Sequence, residues 1–279
     1  MITSLAIFQN YCALNSQDVI GAVKVSANQR GIRILENSMD ADAVLIWSVL
    51  WAGRMAPNQK LYQHYRALNR PVIVVDVGTL ARNRTWKIAL NHVTAEGYYG
   101  HQQNLDFDRP NKLGMKLTQG TGGDKILIAC QHKDSLQMVA WPNIETWINS
   151  VIEQVKQNTD RPIVVRPHPR SRIDGRLINY NIDLQYPMKV KNTYDDFDLA
   201  MNWHAVVNHT SGPGIQAAIN GTRPVVHHTS LAAPVGVNFH DLENDYCADR
   251  DQWFVQLCHT EYTVPEIEQG IWLERLFNE

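Results

Sequence analysis

Residues 206–226, VVNHTSGPGIQAAINGTRPVV, restrict the fold more than any other stretch of this chain. An apolar run, a small polar turn, a short helical segment and a second apolar run follow one another, which is the pattern of two parallel strands joined by a helix. The turn at Thr210, Ser211, Gly212 and Gly214 puts backbone N–H groups and hydroxyls at a helix N-terminus, an arrangement that suits a phosphate. About forty residues earlier, IVVRPHPR (163–170) reads as a buried strand ending in Arg166, His168 and Arg170. One cationic and one hydroxyl-rich strand end together predict a site for a phosphorylated ligand.

The same texture runs through the rest of the chain. Ser4 to Gln9 reads as a first strand, Gln17 to Arg30 carries Val19, Ile20, Val23 and Ala27 at helical spacing, and Gly31 is placed to stop that helix. AVLIWSVL (43–50) is a continuous apolar run, the mark of a strand buried on both faces. Pro57 opens a helix and PVIVVDV (71–77) is a further strand, so the first half predicts a parallel sheet covered by helices. The segment ARNRTWKIALNHVTAEGYYG after Asp76 reads as a loop at a strand end that carries a site. KLGMKLTQGTGGD (112–124) is rich in glycine and predicts a linker. Beyond it come the strand KILIAC, a helix at 144–158, a short strand near Asp183 to Tyr186, an acidic helix start at 195–201, the strand VVHH (225–228), and a terminal helix opened by Thr263 with Glu266 three residues on.

Composition narrows the function classes. No apolar run approaches the roughly 20 residues of a membrane span, and the first residues lack the basic start of a signal peptide, so a cytoplasmic protein is expected, in a host cytoplasm if the chain is phage-encoded. Cys12, Cys130, Cys247 and Cys258 are too widely spaced for a zinc ribbon, and the eleven histidines show no metal-ligand spacing, so no protein-held metal is expected. Charge is uneven: residues 1–122 hold 13 Lys+Arg against 8 Asp+Glu, and the remainder 13 against 20. The basic excess lies between Arg54 and Lys87 and fits either a polyanion or a solvated helix face with a loop.

A guanidinium such as that of Arg166 grips two phosphate oxygens at once, and His168 adds a hydrogen bond, while Pro167 and Pro169 stiffen the strand exit. Pairing of Arg166 with Asp134 and capping of a helix by His168 is the alternative. Taken with HTSGPG, residues 125–228 resemble the nucleotide-sugar domain of GT-B glycosyltransferases, particularly capsular polysaccharide Kdo transferases and related phage and capsule enzymes. The resemblance implies an α/β fold of two Rossmann-like domains with a donor cleft between them and a C-terminal helix packing across. The domains would be residues 1–118 on the acceptor side, 119–260 for the donor, and 261–279 as a helix returning to the first domain. Arg166, His168, Thr210, Ser211 and Gly212 would hold the donor phosphates, with Gln131 and Ser135 beside the nucleotide. Gln216 stands where the family commonly has a glutamate that contacts donor hydroxyls; its amide can still bond a diol, without the charge.

Such a reaction needs a base on the acceptor side. Asp76 at a strand end is the first candidate, followed by Glu96 and His92; Asp76 could instead cap the next helix or pair with Arg82. The nucleotide-sugar enters as co-substrate, alone or with a free divalent ion. For the acceptor, Arg54, Arg82, Arg84, Trp86 and Lys87 combine cations with aromatics as a nucleic-acid site does. Phage enzymes that glycosylate modified DNA bases are GT-B proteins of broadly this size, and RNRTWKIALNHVTAEGYYG with PEIEQGIWLERL is similar to phage-encoded members. A hydroxymethylated base in double-stranded DNA, flipped out of the duplex, is therefore the expected acceptor. The alternatives are a capsule or surface glycan, a GT-B-type nucleotide-sugar epimerase, and a non-catalytic nucleotide-sugar binding module.

Overall fold

A computed structural model describes residues 2–103, 105–186 and 202–277. In chain order its elements are β1 (Ser4–Ile7), α1 (Gln17–Gln29), β2 (Arg33–Glu36), β3 (Ala43–Trp47), α2 (Asn58–Ala67), β4 (Val72–Val77), β5 (Trp86–Leu90) and α3 (Arg109–Lys112). They continue with β6 (Ile126–Ala129), α4 (Ile144–Asn158), β7 (Ile163–Arg166), β8 (Asp183–Leu184), β9 (Ala205–Asn208), α5 (Gly212–Ile219) and β10 (Arg223–Val226). The chain closes with α6 (Asp251–Cys258), β11 (Glu261–Tyr262), α7 (Val264–Gln269) and α8 (Ile271–Phe277). The acidic helix start expected at 195–201 lies outside the described residues. The chain divides into two compact units, Met1–Met115 with Val255–Glu279, and Lys116–Phe254.

The first unit is built on a six-stranded sheet of order β11-β5-β4-β3-β1-β2. β1 to β4 are parallel, and every residue of β3 is buried, as a strand covered on both faces requires. Odd-numbered residues of β3 and β4 (Leu45, Trp47, Ile73, Val75) point into a core with Val19, Ile20 and Val23 of α1 and Ile267 and Trp272 from the C-terminal helices. The sheet departs from the expected all-parallel form at one edge. WKIAL, read from sequence as loop, is β5, which runs antiparallel to β4 with Asp76 opposite Lys87, and β11 pairs antiparallel with β5 beyond it. The terminal helix also differs from expectation. Its capping box is present, with Glu266 Oε2 accepting from Thr263 N at 2.8 Å, but Gly270 adopts φ +79° and splits it into α7 and α8. A Cβ at Gly270 would collide with Arg30, whose guanidinium crosses there to donate to Gln269 O at 3.0 Å.

The second unit holds five parallel strands in the order β10-β9-β6-β7-β8. α4, capped by Asn143 accepting from Thr146 N at 2.8 Å, buries Ile144, Trp147, Ile148, Val151, Ile152 and Val155 against one face. The other face, with Leu127, Ala129, Val164 and Val206, packs on Ala217 of α5. Contact there is so close that a Cβ on Gly214 would fall 2.6 Å from Val226 Cγ1. Gly214→Val should therefore destabilise the second unit by about 1–3 kcal/mol through overpacking. Thermal melting of the variant checks this, and an unchanged midpoint would contradict the packing described.

Candidate functional site

Open parallel sheets bind ligands outside the carboxyl ends of their strands, where the strand order reverses. In the second unit β6 is the first strand, the chain builds outward through β7 and β8, and it then returns to the other side of β6 with β9 and β10. The reversal lies between β6 and β9. Register places Ala129, Arg166 and Asn208 level with one another at this edge, so Gln131, His168 and residues 209–212 follow directly from it.

Two of the strand exits are tied together by amides. Gln131 Oε1 accepts from both Thr210 N and Thr210 Oγ1 at 3.0 Å, and its Nε2 donates to Ser135 Oγ at 3.0 Å. Asn208 Nδ2 donates to Ala129 O at 2.7 Å and to Ser211 Oγ at 3.0 Å. Gln131, Ser135, Asn208 and Thr210 are all buried, so their polar atoms hold the floor of the site. Ser211 and Gly212, half-buried, stand above that floor at the start of α5, and the Ser211 hydroxyl does not cap the helix. Arg166 lies over the Trp203 ring, its Cζ 5.6 Å from the centroid, and the rings of His132 and His168 meet edge to face at 5.0 Å. Gln216 is half-buried on α5, four residues before Asn220, whose Nδ2 donates to Gln216 O at 2.8 Å.

A histidine group beside this edge carried no signal in the sequence reading. His209 stacks at 4.5 Å on His227, which lies 4.0 Å from His228, and His209 Nε2 pairs with Gln137 O at 3.0 Å. Burial, then the neighbouring His227, lowers the pKa of His209 to about 4. Burial also lowers His92, His204 and His259. A histidine with a depressed folded pKa resists protonation that the unfolded chain accepts, so its contribution is intact above about pH 6.5 and is lost as pH falls from there to about 4. Thermal melts should show this loss across that window, and His209→Gln should shrink it. An identical acid loss in the variant would remove His209 from the account.

In the first unit β1 lies between β2 and β3, so the strand order reverses there as well. Asp76 stands at the carboxyl edge, half-buried, where its Oδ2 accepts from Ser48 Oγ at 3.0 Å and its Oδ1 from Val77 N at 2.7 Å. His92 and Glu96 form a loose pair at 3.9 Å, with His92 Nδ1 bonded to Thr94 Oγ1 at 2.7 Å. They lie at the opposite edge: β5 runs back from Lys87 beside Asp76 to Leu90 beside Ile73, and His92 is further still. At about 3.3 Å per residue Leu90 is already about 10 Å from Lys87 along β5, and His92 and Glu96 follow it at that edge, so the fold does not bring the three base candidates together.

Of the residues read as an acceptor surface, Arg54 follows β3, Arg82 and Arg84 lie in the β4–β5 turn at the same carboxyl edge, and Trp86 begins β5. Lys87 is only 7% exposed and donates to Thr79 Oγ1 at 3.3 Å, so it is part of the sheet and does not present a cation to a backbone phosphate. Opposite it in register lies Glu261, which sequence reasoning missed. Glu261 is 0% exposed and accepts from Thr79 N at 2.6 Å, Leu80 N at 3.1 Å and Thr85 Oγ1 at 2.7 Å, fixing the turn that carries Arg82 and Arg84. Among the described residues no group of three His, Cys, Asp or Glu could hold a metal ion, and no helix is long and apolar enough to cross a membrane.

No protein-family model matches the sequence. No curated protein matches it either. Solved structures do. The fold is similar to the β-Kdo 2,4-transferase of Thermosulfurimonas dismutans KpsC, with a TM-score of 0.53 at 10% identity over 97% of this chain and 98% of that one. It is similar to the same organism's KpsC β-Kdo 2,7-transferase, with a TM-score of 0.53 at 13% identity over 97% and 99%. At these identities the likeness shows a shared fold.

Proposed function

We propose that the chain is a glycosyltransferase that moves a sugar from a nucleotide-sugar to an acceptor hydroxyl. The observation that carries this reading is the convergence, at the switch point of the second unit, of Arg166, His168 and the start of α5 on a rigid amide-pinned floor. Arg166 and His168 hold the donor diphosphate, with the Ser211 and Gly212 backbone at the helix start. Gln216 bonds donor hydroxyls, while Gln131, Ser135 and Thr210 act mainly by shaping the turn. Asp76 is the base, with its neighbour Ser48 orienting its carboxylate. The acceptor O–H proton passes to Asp76 as the oxygen bonds to the anomeric carbon. The bond from that carbon to the donor phosphate oxygen breaks, and its electron pair leaves on the nucleotide.

A glycan hydroxyl is the acceptor this reading favours, because the two KpsC structures of similar fold are Kdo transferases. A hydroxymethylated base in DNA is the second reading, carried by Arg54, Arg82 and Arg84 at the carboxyl edge of the first sheet. Incubation with a panel of nucleotide-sugars, with and without Mg²⁺, and with oligosaccharide or hydroxymethylated DNA acceptors, read by mass spectrometry, tests the reading. Sugar added to a glycan is the expected result. Addition to DNA would restore the nucleic-acid reading, conversion of the nucleotide-sugar without acceptor would make the protein an epimerase, and no product with any donor would sink the proposal.

Arg166→Ala removes charge-assisted bonds to phosphate and should weaken nucleoside diphosphate binding by about 1.5–3 kcal/mol, roughly ten- to a hundredfold. Calorimetric titration measures it, and unchanged affinity would take Arg166 out of the site.

A further inference from the structure

Asn208, the last residue of β9, is 2% exposed, and its side-chain amide commits both N–H groups at once. Nδ2 donates to Ala129 O of β6 at 2.7 Å and to Ser211 Oγ at 3.0 Å, and Oδ1 lies 3.3 Å from Ser211 Oγ, as an acceptor for its proton. Ser211 has the extended backbone of a helix N-cap, φ −88° and ψ −177°, and serine is among the strongest capping residues. Its hydroxyl nevertheless does not cap α5. A cap serves the N–H two or three positions further on. Pro213 has no N–H to offer, so the Gly214 N–H is the group that Ser211 would cover if Asn208 released it. The three residues are close enough for that exchange, since a Cβ on Gly214 would fall 3.4 Å from Asn208 Oδ1.

We infer that Asn208 is a positioning residue for the donor: by holding the Ser211 hydroxyl off α5, it leaves the Gly214 N–H to an oxygen of the diphosphate. The inference rests on the transferase reading for the identity of that anion, and it goes beyond that reading in assigning a task to a buried residue that touches no substrate. A capped N–H is already satisfied and gains little from an incoming anion. One with no side-chain cap gains a charge-assisted bond, reinforced by the positive end of the helix. The tie to Ala129 O makes the hold rigid. That carbonyl belongs to the central strand of the sheet, and the Asn208 amide cannot turn away from Ser211 without leaving it unpaired.

Asn208→Ala frees the hydroxyl to cap Gly214, so calorimetric titration with inorganic pyrophosphate should show an affinity about tenfold below the parent's. Adding Ser211→Ala removes the new cap, and the double variant should regain at least about threefold. A loss that persists or deepens in the double variant would overturn the inference, because an asparagine that only braces the sheet is not rescued by deleting a second side chain. The parent protein supplies a check that needs no variant to fold. Pyrophosphate titrated into ¹⁵N-glycine-labelled protein should move the Gly214 amide signal, and a stationary signal up to millimolar concentration would overturn the inference as well. Incubation with nucleotide-sugars and glycan acceptors separates the two readings. Sugar transfer with a Gly214 signal that ignores pyrophosphate refutes the role of Asn208 alone, whereas a moving signal and a rescued double variant without any transfer refute the transferase and leave the Asn208 device standing.

Discussion

Asp76→Asn should lower kcat by about 10²–10⁴ while nucleotide binding and the melting temperature stay near those of the parent protein. The side chains have the same shape, and an Asn oxygen can still accept the Ser48 hydroxyl or the Val77 N–H that Asp76 holds at 3.0 and 2.7 Å. What disappears is the capacity to take the acceptor proton, a loss that appears in kcat and not in donor affinity. Single-turnover kinetics at saturating donor make the measurement. Activity within tenfold of the parent would remove Asp76 as the base, and a matching loss in Glu96→Gln would then transfer the role to the opposite edge of the sheet.

Glu261→Ala should cost about 1–3 kcal/mol, the range for leaving buried hydrogen-bond donors unsatisfied. Its carboxyl group answers two backbone N–H groups and the Thr85 hydroxyl, of which Leu80 and Thr85 are buried. At about 2–4 °C per kcal/mol, the melting transition of the first unit should fall by roughly 2–12 °C. Glu261→Gln, which keeps one acceptor oxygen, should fall less. A shift below about 2 °C in the alanine variant would show that the turn at 79–85 is held by other means.

Much of the architecture was readable because buried parallel strands are written as continuous apolar runs, as in AVLIW, VIVVDV and ILIA. The amphipathic stripe of α4 and the capping box at Thr263 are likewise local patterns. β5 escaped because WKIAL sits between polar segments and carries a buried lysine, whose acceptability depends on Glu261 and Asp76 in neighbouring strands. Glu261 itself, more than 170 residues from the turn it fixes, has no local signature. The strand-end motif and the turn both fall at the carboxyl edge of the second sheet. The sequence could not say that Thr210 and Gln131 bond each other, nor that His92 and Asp76 fall at opposite ends of an antiparallel pair. Both follow from register, which is a property of the assembled sheet.

β11 adds a consequence for biosynthesis. The strand that borders β5 comes from the last twenty residues, after the whole of the second unit. The second unit is one uninterrupted segment, complete before residues 255–279 are added, whereas the first has its parts only after them. A nascent chain therefore carries the Lys87 edge of the first sheet uncovered throughout synthesis of the second unit, and the addition of β11 decides when that edge closes.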